Sequence, residues 1–312
     1  MTLFERNVPL AAYSNFKIGG PADYFFKATT EEGLRAALSE AQDATYPVTL
    51  LGAGCNVLIG DSGVRGAVIV VVTRGIAIEA PGLIRVGAGV LVSDFLDFCV
   101  ANSLTGWEWA GGLPGTMGGA LWGNAGAYGG ETKDSVTQVR SIRMATGEKI
   151  ERSREECGFD YRSSVFKTKA QDEIIVSALF ALTHGDSAVI KEAIEEKKNH
   201  RASRHPLEYP NCGSVFKNTP VGQVPATTLE RFAQKVKNDP FPVLPTAVLS
   251  AAAGLAGYRV GGALVSPKHT NFIVNVGGAT AADVKAVMAH VQGEVYSQFG
   301  VKLEPEVIFV GE

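Results

Sequence analysis

Nine of twenty residues are glycine in Gly111-Gly-Leu-Pro-Gly-Thr-Met-Gly-Gly-Ala-Leu-Trp-Gly-Asn-Ala-Gly-Ala-Tyr-Gly-Gly130. Glycine loses more backbone entropy on folding than any other residue, so this density argues against a helix or a regular strand. It indicates a loop whose backbone takes positive φ or closely approaches a ligand, such as a phosphate group held by main-chain N–H groups. A mobile linker is the alternative, but linkers are polar, and here Leu113, Met117 and Trp122 are interleaved.

A second glycine loop lies upstream, in Gly52-Ala-Gly-Cys-Asn56, directly after the apolar run 47–51. A strand that runs into Gly-x-Gly is typical of a dinucleotide-binding turn, but the third glycine of that fingerprint would fall at Val57. Neither loop continues into Gly-Lys-Ser/Thr, which excludes a Walker A phosphate loop. Gly60-Asp-Ser-Gly63 is similar to the nucleophile segment of trypsin-like proteases, but the required upstream histidine is missing, since the first histidine is His184.

Composition and charge narrow the class of protein. The 312 residues suffice for two or three domains, and a net charge of −3 without a basic block gives nucleic-acid binding no support. No apolar run reaches the roughly 18 residues of a membrane span, and the N-terminus lacks the layout of a signal peptide. The spacing of the four cysteines and five histidines favours reduced thiols in a cytoplasmic protein and no metal site.

The first part of the chain predicts two units, an α/β unit that we assign to 1–72 and an α+β unit that we assign to 73–185. Helices are predicted at 30–41, where apolar residues recur at helical spacing after Thr30, and at 92–101. The β-branched run 67–72 predicts a strand buried on both faces. Further strands are predicted at 47–51, 83–86, 138–144, 149–152 and 173–182.

The remaining chain predicts a third unit, at 186–299. A charged helix at 187–202 joins it to the second unit, and a helix after Thr280 is predicted from one apolar face. That face consists of Val284, Val287, Met288, Val291 and Val295. The proline-rich stretch 238–245 is a connection without an assigned element. A last strand is predicted at 301–310, and 300–312 is assigned back to the first domain.

Three segments place polar groups among apolar ones, and each allows two interpretations. Arg162, which lies between aromatic residues, is either a packed surface side chain or an anion-binding one. Ser214, which follows Gly213, is either part of a backbone-capping turn or a hydroxyl open to a ligand. Glu306 shares a strand face with Glu304 and is either solvated or paired with a partner.

Seven motifs in one order connect these segments. They are Asn15-Phe-Lys-Ile-Gly-Gly-Pro-Ala-Asp23, Leu51-Gly-Ala-Gly-Cys-Asn56, Leu113-Pro-Gly-Thr-Met-Gly-Gly119 with Asn124-Ala-Gly126, Tyr161-Arg162, Gly213-Ser-Val-Phe-Lys-Asn218, Gly257-Tyr-Arg-Val-Gly-Gly262 and Leu303-Glu-Pro-Glu-Val307. The set resembles the UDP-N-acetylenolpyruvoylglucosamine reductases of bacterial cell-wall synthesis over nearly the whole chain. Pro206-Leu-Glu-Tyr-Pro210 and Ser266-Pro-Lys-His-Thr-Asn-Phe272 are similar to the shorter subclass, which lacks an extra tyrosine loop.

The resemblance implies an α+β protein. Two α/β subdomains would form a vanillyl-alcohol-oxidase (PCMH-type) FAD-binding fold, and a C-terminal α+β domain would bind the substrate. NADPH would reduce non-covalently bound FAD, and flavin N5 would then deliver hydride to UDP-N-acetylglucosamine enolpyruvate, giving UDP-N-acetylmuramate for peptidoglycan. The implied FAD contacts are Gly52, Ala53, Gly54, Cys55, Asn56, Val57, Leu58, Gly112, Leu113, Pro114, Gly115, Thr116, Gly118, Gly119, Ala120, Asn124, Ala125, Gly126 and Val176.

The resemblance also assigns roles to the three polar segments. Ser214 is similar to the family's proton donor to the enol carbon. Glu306 and Arg162 are similar to the pair that stabilises the enolate-like intermediate, and Arg162 is also suited to the substrate carboxylate. Serine is a poor acid at its ordinary pKa, so Lys217 or an ordered water is expected to assist. The implied substrate contacts are Arg204, Lys217, Asn218 and Tyr258.

The sequence departs from the family pattern at two places, and it also allows two competing functions. Cys55 stands where the family usually has serine, which weakens the expected hydroxyl contact to the flavin but not the backbone contacts. Residues 219–250 diverge, so no substrate contact is transferred there. A second function is another FAD-dependent oxidoreductase of the same fold that acts on a sugar or alcohol, and a third is a non-catalytic flavin- or sugar-nucleotide-binding protein. The sequence does not indicate the oligomeric state, and a monomer is compatible with it.

Overall fold

The computed structural model of the chain describes residues 2–239 and 241–311, which form two compact units. The first unit contains the residues up to Val8, Ala22–Ala53 and Arg65–Arg201. The second unit contains Pro9–Pro21, Gly54–Val64 and the residues from Ala202 onward. Each unit is therefore assembled from pieces that are distant in sequence. None of the described helices is long and apolar enough to cross a bilayer.

Helices and strands alternate through most of the described chain. The strands are β1 Glu5–Pro9, β2 Pro21–Ala28, β3 Val48–Leu51, β4 Val57–Ile59, β5 Val64–Val71, β6 Ile76–Ala80, β7 Leu83–Gly87, β8 Leu104–Thr105, β9 Gly126–Ala127, β10 Gly130–Glu131, β11 Val136–Arg143, β12 Lys149–Ser153, β13 Glu173–Ala181, β14 Thr183–His184, β15 Asn211–Ser214, β16 Thr219–Pro220, β17 Val243–Leu244, β18 Arg259–Val260, β19 Ala263–Val265, β20 Phe272–Asn275 and β21 Ile308–Val310. The α-helices are α1 Glu31–Asp43, α2 Val92–Ala101, α3 Met117–Trp122, α4 Val165–Thr168, α5 Ser187–Arg204, α6 Ala226–Arg231, α7 Thr246–Ala252 and α8 Ala281–Phe299.

The first unit is built on two sheets. One has the strand order β1-β2-β5-β3, with β3 and β5 parallel, and the other has the order β12-β11-β13-β7-β6, with antiparallel neighbours. The predicted buried strand is confirmed, since β5 is buried at all but one position. The predicted helices α1 and α2 are also confirmed, and Thr30 caps α1 by accepting a hydrogen bond from the Gly33 N–H at 3.0 Å.

Helix α3 lies inside the glycine-rich stretch, which corrects the expectation that no helix forms there. The Thr116 hydroxyl caps this helix by accepting from the Gly119 N–H. The main chain is also held from outside the helix, because the N–H groups of Met117 and Gly118 donate to the carbonyls of Val90 and Ala88, both at 2.8 Å. These tertiary hydrogen bonds offset the low helix propensity of glycine.

The second unit packs α8 and α7 with the antiparallel sheet β15-β20-β19-β18. The predicted helix after Thr280 is confirmed as α8, with a capping box between Thr280 and Asp283 and the predicted apolar face buried. The carboxylate of Asp61 accepts hydrogen bonds from the Ala281 and Ala282 N–H groups at 2.7 and 3.0 Å. Asp61, which lies just after the short β4, therefore provides a second cap for the N-terminus of α8.

The predicted C-terminal strand is shorter than expected, since only Ile308–Val310 forms β21, in parallel with β4. The preceding residues pair elsewhere, because Phe216 and Pro305 form an isolated antiparallel bridge. The Lys217 and Glu306 N–H groups close this bridge by donating to the carbonyls of Glu304 and Val215, both at 2.9 Å. The Ile308 N–H then donates to the Asn56 carbonyl at 3.0 Å, so the chain passes from one partner to the other. In the proline-rich stretch 238–245, β17 pairs with β16, and residue 240 lies outside the described residues.

Candidate functional site

Most glycines of the stretch 111–130 are required by close packing within the first unit. A Cβ on Gly111 would lie 2.5 Å from the carbonyl oxygen of Ile194 in α5, and one on Gly130 would lie 2.4 Å from the ring of Trp109. A Cβ on Gly112, Gly118 or Gly126 would lie 3.1, 2.9 or 2.7 Å from its nearest neighbour, which is closer than ordinary van der Waals contact. Much of the glycine density therefore serves the fold and not a ligand.

Gly115 behaves differently from these neighbours. Its φ is +117°, and a Cβ built on it would meet no described atom within 4 Å. Its carbonyl accepts from the Val92 N–H at 3.0 Å, whereas the N–H groups of Gly115 and Thr116 have no hydrogen-bond partner among residues 2–239 and 241–311. An open position with two adjacent unpaired N–H groups fits an anionic ligand that approaches the backbone.

The two glycine loops meet in the first unit. A Cβ on Gly52, directly after β3, would lie 2.8 Å from the Thr116 hydroxyl oxygen. Ala53 ends this piece of the first unit. The chain continues from Gly54 into β4, a strand, and not into the helix that a dinucleotide-binding turn requires. The structure therefore agrees with the argument from Val57 that this loop is not a dinucleotide-binding turn of the Gly-x-Gly-x-x-Gly type.

The second half of the upstream loop belongs to the second unit. Gly54 has φ +67°, and a Cβ there would lie 1.9 Å from the Tyr13 carbonyl oxygen, so no other residue fits. The Cys55 Sγ accepts from the Asn15 side-chain amide at 3.2 Å, and burial raises the pKa of this thiol to about 11. Cys55 is therefore a neutral thiol at neutral pH.

Asn56 connects this loop to the segment that carries Glu306. Its side-chain amide donates to the Glu306 carbonyl at 3.0 Å, and its own carbonyl accepts from the Ile308 N–H at 3.0 Å. The Glu306 N–H donates to the Val215 carbonyl at 2.9 Å. The backbone of half-buried Glu306 is thus fixed on both sides, next to the residue that follows Ser214.

Ser214 is a half-buried residue at the end of β15 whose hydroxyl makes no hydrogen bond to another described residue. Gly213 before it has φ +85°, and a Cβ there would meet no described atom within 4 Å. The Ser214 hydroxyl is thus unbonded, and the position of a Cβ on Gly213 is open within the second unit. This favours the ligand interpretation of Ser214 over the capping turn, in which the hydroxyl would bind the backbone.

The four predicted substrate contacts have different surroundings. Lys217 Nζ lies 3.1 Å from a carboxylate oxygen of Glu304, and the Asn218 side-chain oxygen accepts from the Thr246 N–H at the start of α7. Tyr258 stacks on His290 with ring centroids 3.8 Å apart, and Arg204 is exposed at the end of α5. Asn218 therefore has a structural task, and its contact with a substrate stays a prediction.

The predicted residues 124–126 and Arg162 lie in the first unit and contact one another. Arg162 takes φ +53°, and its Nη2 donates to the Gly126 carbonyl at 3.0 Å. Asn124 is fully buried, and its side chain is used internally, by donating to the Asp160 carbonyl and accepting from the Lys133 N–H, both at 3.1 Å. Val176 is buried in β13, where its carbonyl accepts from the Ala88 N–H at 2.9 Å.

Two basic side chains near these residues were missed from the sequence. Lys167 Nζ donates to the Arg162 carbonyl at 3.0 Å, and it follows directly on the segment 159–166 that was singled out. The half-buried Arg201 donates to the Gly111 carbonyl at 3.0 Å and lies over the Tyr128 ring, and burial lowers its pKa. In the sequence, Lys167 and Arg201 are recognisable only as basic residues that lie close to a motif.

Comparison with known proteins defines the class and then the family. A model described as "FAD binding domain" matches residues 22–152, and the protein is an FAD-dependent oxidoreductase. A model of the UDP-N-acetylenolpyruvoylglucosamine reductase C-terminal domain matches residues 205–310. The chain belongs to the UDP-N-acetylenolpyruvoylglucosamine reductase family.

The relatives match almost end to end. The reductases of Lachnoclostridium phytofermentans and Exiguobacterium sibiricum are each 40% identical, and each alignment covers 98% of this chain and 92% of the relative. The crystal structure of the enzyme from Thermus caldophilus has 28% identity and a TM-score of 0.77, with 98% of both chains covered. The predicted family, FAD-binding fold class and cofactor are thereby confirmed.

Proposed function

We propose that this chain uses NADPH and non-covalently bound FAD to reduce UDP-N-acetylglucosamine enolpyruvate to UDP-N-acetylmuramate in two successive half-reactions. The protein acts in peptidoglycan biosynthesis. The observation that carries the mechanism is the Ser214 hydroxyl, which makes no hydrogen bond to another described residue. Four free cysteines favour the cytoplasm as its compartment.

The first unit offers the contacts for the phosphates of FAD. The open Gly115 position and the unpaired N–H groups of Gly115 and Thr116 fit a pyrophosphate, which needs close backbone approach and several donors. Gly52 leaves room for the Thr116 hydroxyl, since a Cβ at this position would lie 2.8 Å from the hydroxyl oxygen. Once bound, the flavin supplies the hydride for the reduction of the enolpyruvyl double bond.

The side chains of the protein have to handle the proton and the developing charge. Reduction of the double bond adds a hydride to the terminal carbon and a proton to the carbon next to the carboxylate. We assign this proton to the Ser214 hydroxyl, whose orientation is not fixed by any other described group. Arg162 and Glu306 are assigned to the enolate-like intermediate, where Arg162 also suits the substrate carboxylate.

A three-domain arrangement, 1–72 with 300–312, 73–185 and 186–299, remains our proposal for how these tasks are divided. The parallel pairing of β21 with β4 ties residues 308–310 to residues 57–59, and both segments lie in the second compact unit. The FAD contacts would then come from the first two domains and the remaining substrate contacts from the third.

An anaerobic reduction and re-oxidation experiment tests the proposed function. NADPH is expected to bleach the flavin absorbance, and UDP-N-acetylglucosamine enolpyruvate is expected to restore it stoichiometrically. If a sugar or an alcohol reduces the flavin and the enolpyruvyl substrate does not re-oxidise it, the protein is the competing oxidase of the same fold. If neither NADPH nor these compounds changes the spectrum, the non-catalytic alternative is correct.

A further inference from the structure

Arg162 is held in a backbone conformation that side-chain-bearing residues rarely adopt. Its φ is +53°, in the left-handed region that favours glycine. Such conformations persist only where surrounding contacts fix them, and they cluster at functional sites. The contacts that fix this residue therefore bear on where its guanidinium is presented.

A tight turn provides the first of these contacts. Asp160 and Ser163 exchange both N–H···O hydrogen bonds, each at 3.1 Å, and close the turn around Tyr161 and Arg162. The Asp160 carboxylate also accepts from the Tyr161 N–H at 2.7 Å, and the Arg162 guanidinium lies over the Tyr161 ring. These bonds are local and define the turn but not its place in the unit.

The glycine-rich stretch fixes the place of this turn from one side. The buried Asn124 side chain donates to the Asp160 carbonyl at 3.1 Å, and the Ser164 hydroxyl donates to the Trp122 carbonyl at 2.7 Å. The Arg162 guanidinium itself donates to the Gly126 carbonyl at 3.0 Å. Three hydrogen bonds thus join the turn to residues 122–126.

Lys167 acts on the same turn from the other side. Its Nζ donates to the carbonyl of Arg162 at 3.0 Å, and it lies 4.9 Å from the ring centroid of Trp122, at a cation–π distance. One ammonium therefore contacts both the strained residue and the stretch to which the turn is bound. A charged donor on a carbonyl makes a stronger bond than a neutral one, which suits it to hold a strained peptide.

We propose that Lys167 is a positioning residue for Arg162: by binding the Arg162 carbonyl and the Trp122 ring, it holds the turn so that the guanidinium is presented to the substrate carboxylate. The proposal rests on the proposed role of Arg162 in the second half-reaction. Lys167 has no part in the chemistry itself and acts only through Arg162. Loss of its donor would allow the turn to relax, and misplacement of a binding group by about 1 Å can cost about 100-fold in rate.

A double-mutant cycle tests the proposal on the FAD-loaded protein. The variants are Lys167→Met, Arg162→Ala and the double variant, with Lys167→Arg as the conservative replacement. Each half-reaction is followed by anaerobic stopped-flow, substrate affinity by the flavin spectral change, and FAD affinity by flavin fluorescence. Lys285→Met is the matched control, since Lys285 is an exposed lysine whose ammonium lies over the Phe309 ring in the same way.

Lys167→Met is expected to slow re-oxidation by the enolpyruvyl substrate about 10- to 100-fold. Reduction by NADPH, FAD affinity and the Lys285→Met control are expected to stay at wild-type values. Lys167→Arg should restore most of the rate because it keeps a charged donor. In the Arg162→Ala background, Lys167→Met should cause no further loss, since it acts through a side chain that is already gone.

Three outcomes would overturn the proposal. Additive losses in the double variant would mean that Lys167 contacts the substrate directly. Equal slowing of both half-reactions, or lost FAD, would mean that Lys167 only supports the fold. If Arg162→Ala slows re-oxidation and Lys167→Met does not, only the positioning role of Lys167 is refuted. If Arg162→Ala leaves re-oxidation at the wild-type rate, both the proposed role of Arg162 and the positioning role of Lys167 are refuted.

Discussion

Gly115 and Gly129 are both glycines with positive φ and no described atom within 4 Å of a Cβ built on them, but only Gly115 is assigned to the FAD pyrophosphate. Replacing Gly115 with valine should abolish FAD retention, because the side chain would fill the place of the phosphates. FAD retention is measured as the ratio of flavin absorbance to protein absorbance after gel filtration.

Gly129→Val is the control for backbone strain, since it imposes a similar conformational cost in the same stretch. It should keep FAD. Equal loss of flavin in both variants would mean that strain, and not a filled ligand position, explains the effect at Gly115. If Gly115→Val retains a full complement of FAD, the pyrophosphate does not bind at Gly115.

Ser214 allows the two half-reactions to be separated. NADPH passes only a hydride to the flavin, so Ser214→Ala should leave anaerobic flavin reduction near the wild-type rate. Re-oxidation by the enolpyruvyl substrate needs a proton on carbon and should slow by about 10²–10⁴-fold, the usual contribution of a positioned general acid. Ser214→Cys should retain more activity than Ser214→Ala, since a thiol can still donate. Equal slowing of both half-reactions would make Ser214 a structural turn residue.

Elements with clear ends were predictable from the sequence, and those held by tertiary contacts were not. Helices α1 and α8 were found because Thr30 and Thr280 mark their starts and their apolar faces are regular. Helix α3 was missed because its glycines argue against a helix, while its stabilising hydrogen bonds come from Val90 and Ala88, outside the segment. In the same way, Ser214 and Arg162 were predictable because they lie in recognisable motifs. Lys167 was not, because only its contact with the Arg162 carbonyl in the folded structure identifies it.

The sheet of β11, β12 and β13 contains an ion pair between the partly exposed Arg152 and the buried Glu173, which should make stability depend on pH. Arg152 Nε donates to the Glu173 carboxylate at 3.0 Å, and this bond, with help from Ser141, keeps the pKa of Glu173 below its ordinary value despite burial. The folded-state pKa is lowered, so the stabilisation is fully present above the ordinary pKa of the carboxyl, about 4.3, and is lost as the pH falls further.

Glu173→Gln is expected to lower the free energy of unfolding by about 1.5–3 kcal/mol at pH 7, which is the usual range for a hydrogen bond to a charged group. The difference from wild type should shrink below about pH 4, where the wild-type carboxyl is protonated in the unfolded chain. Urea unfolding at several pH values measures both. The control Glu151→Gln removes an exposed pair with Arg140 and should cost below about 1 kcal/mol. A pH-independent difference at Glu173 would contradict the ion-pair account.

The cofactor should be bound without a covalent bond. No histidine precedes His184, and the thiol of Cys55 in the glycine loop has its pKa raised to about 11 by burial, so it is a poor nucleophile at neutral pH. Purified protein should be yellow, and acid precipitation should release all flavin to the supernatant. FAD at about 100 times its dissociation constant should raise the apparent stability by about 2.7 kcal/mol. Flavin that stays with the precipitated protein would show a covalent link.

The parallel pairing of β4 with β21 also has a consequence for protein synthesis. The pairing joins residues about 250 positions apart, as does the bond from Asn56 to Glu306. During translation, β4 leaves the ribosome long before its partner is made, and its edge then exposes unpaired main-chain groups. A strand that must wait for a distant partner folds slowly and is open to aggregation, so β4 is a segment where a chaperone would be expected to bind the nascent chain.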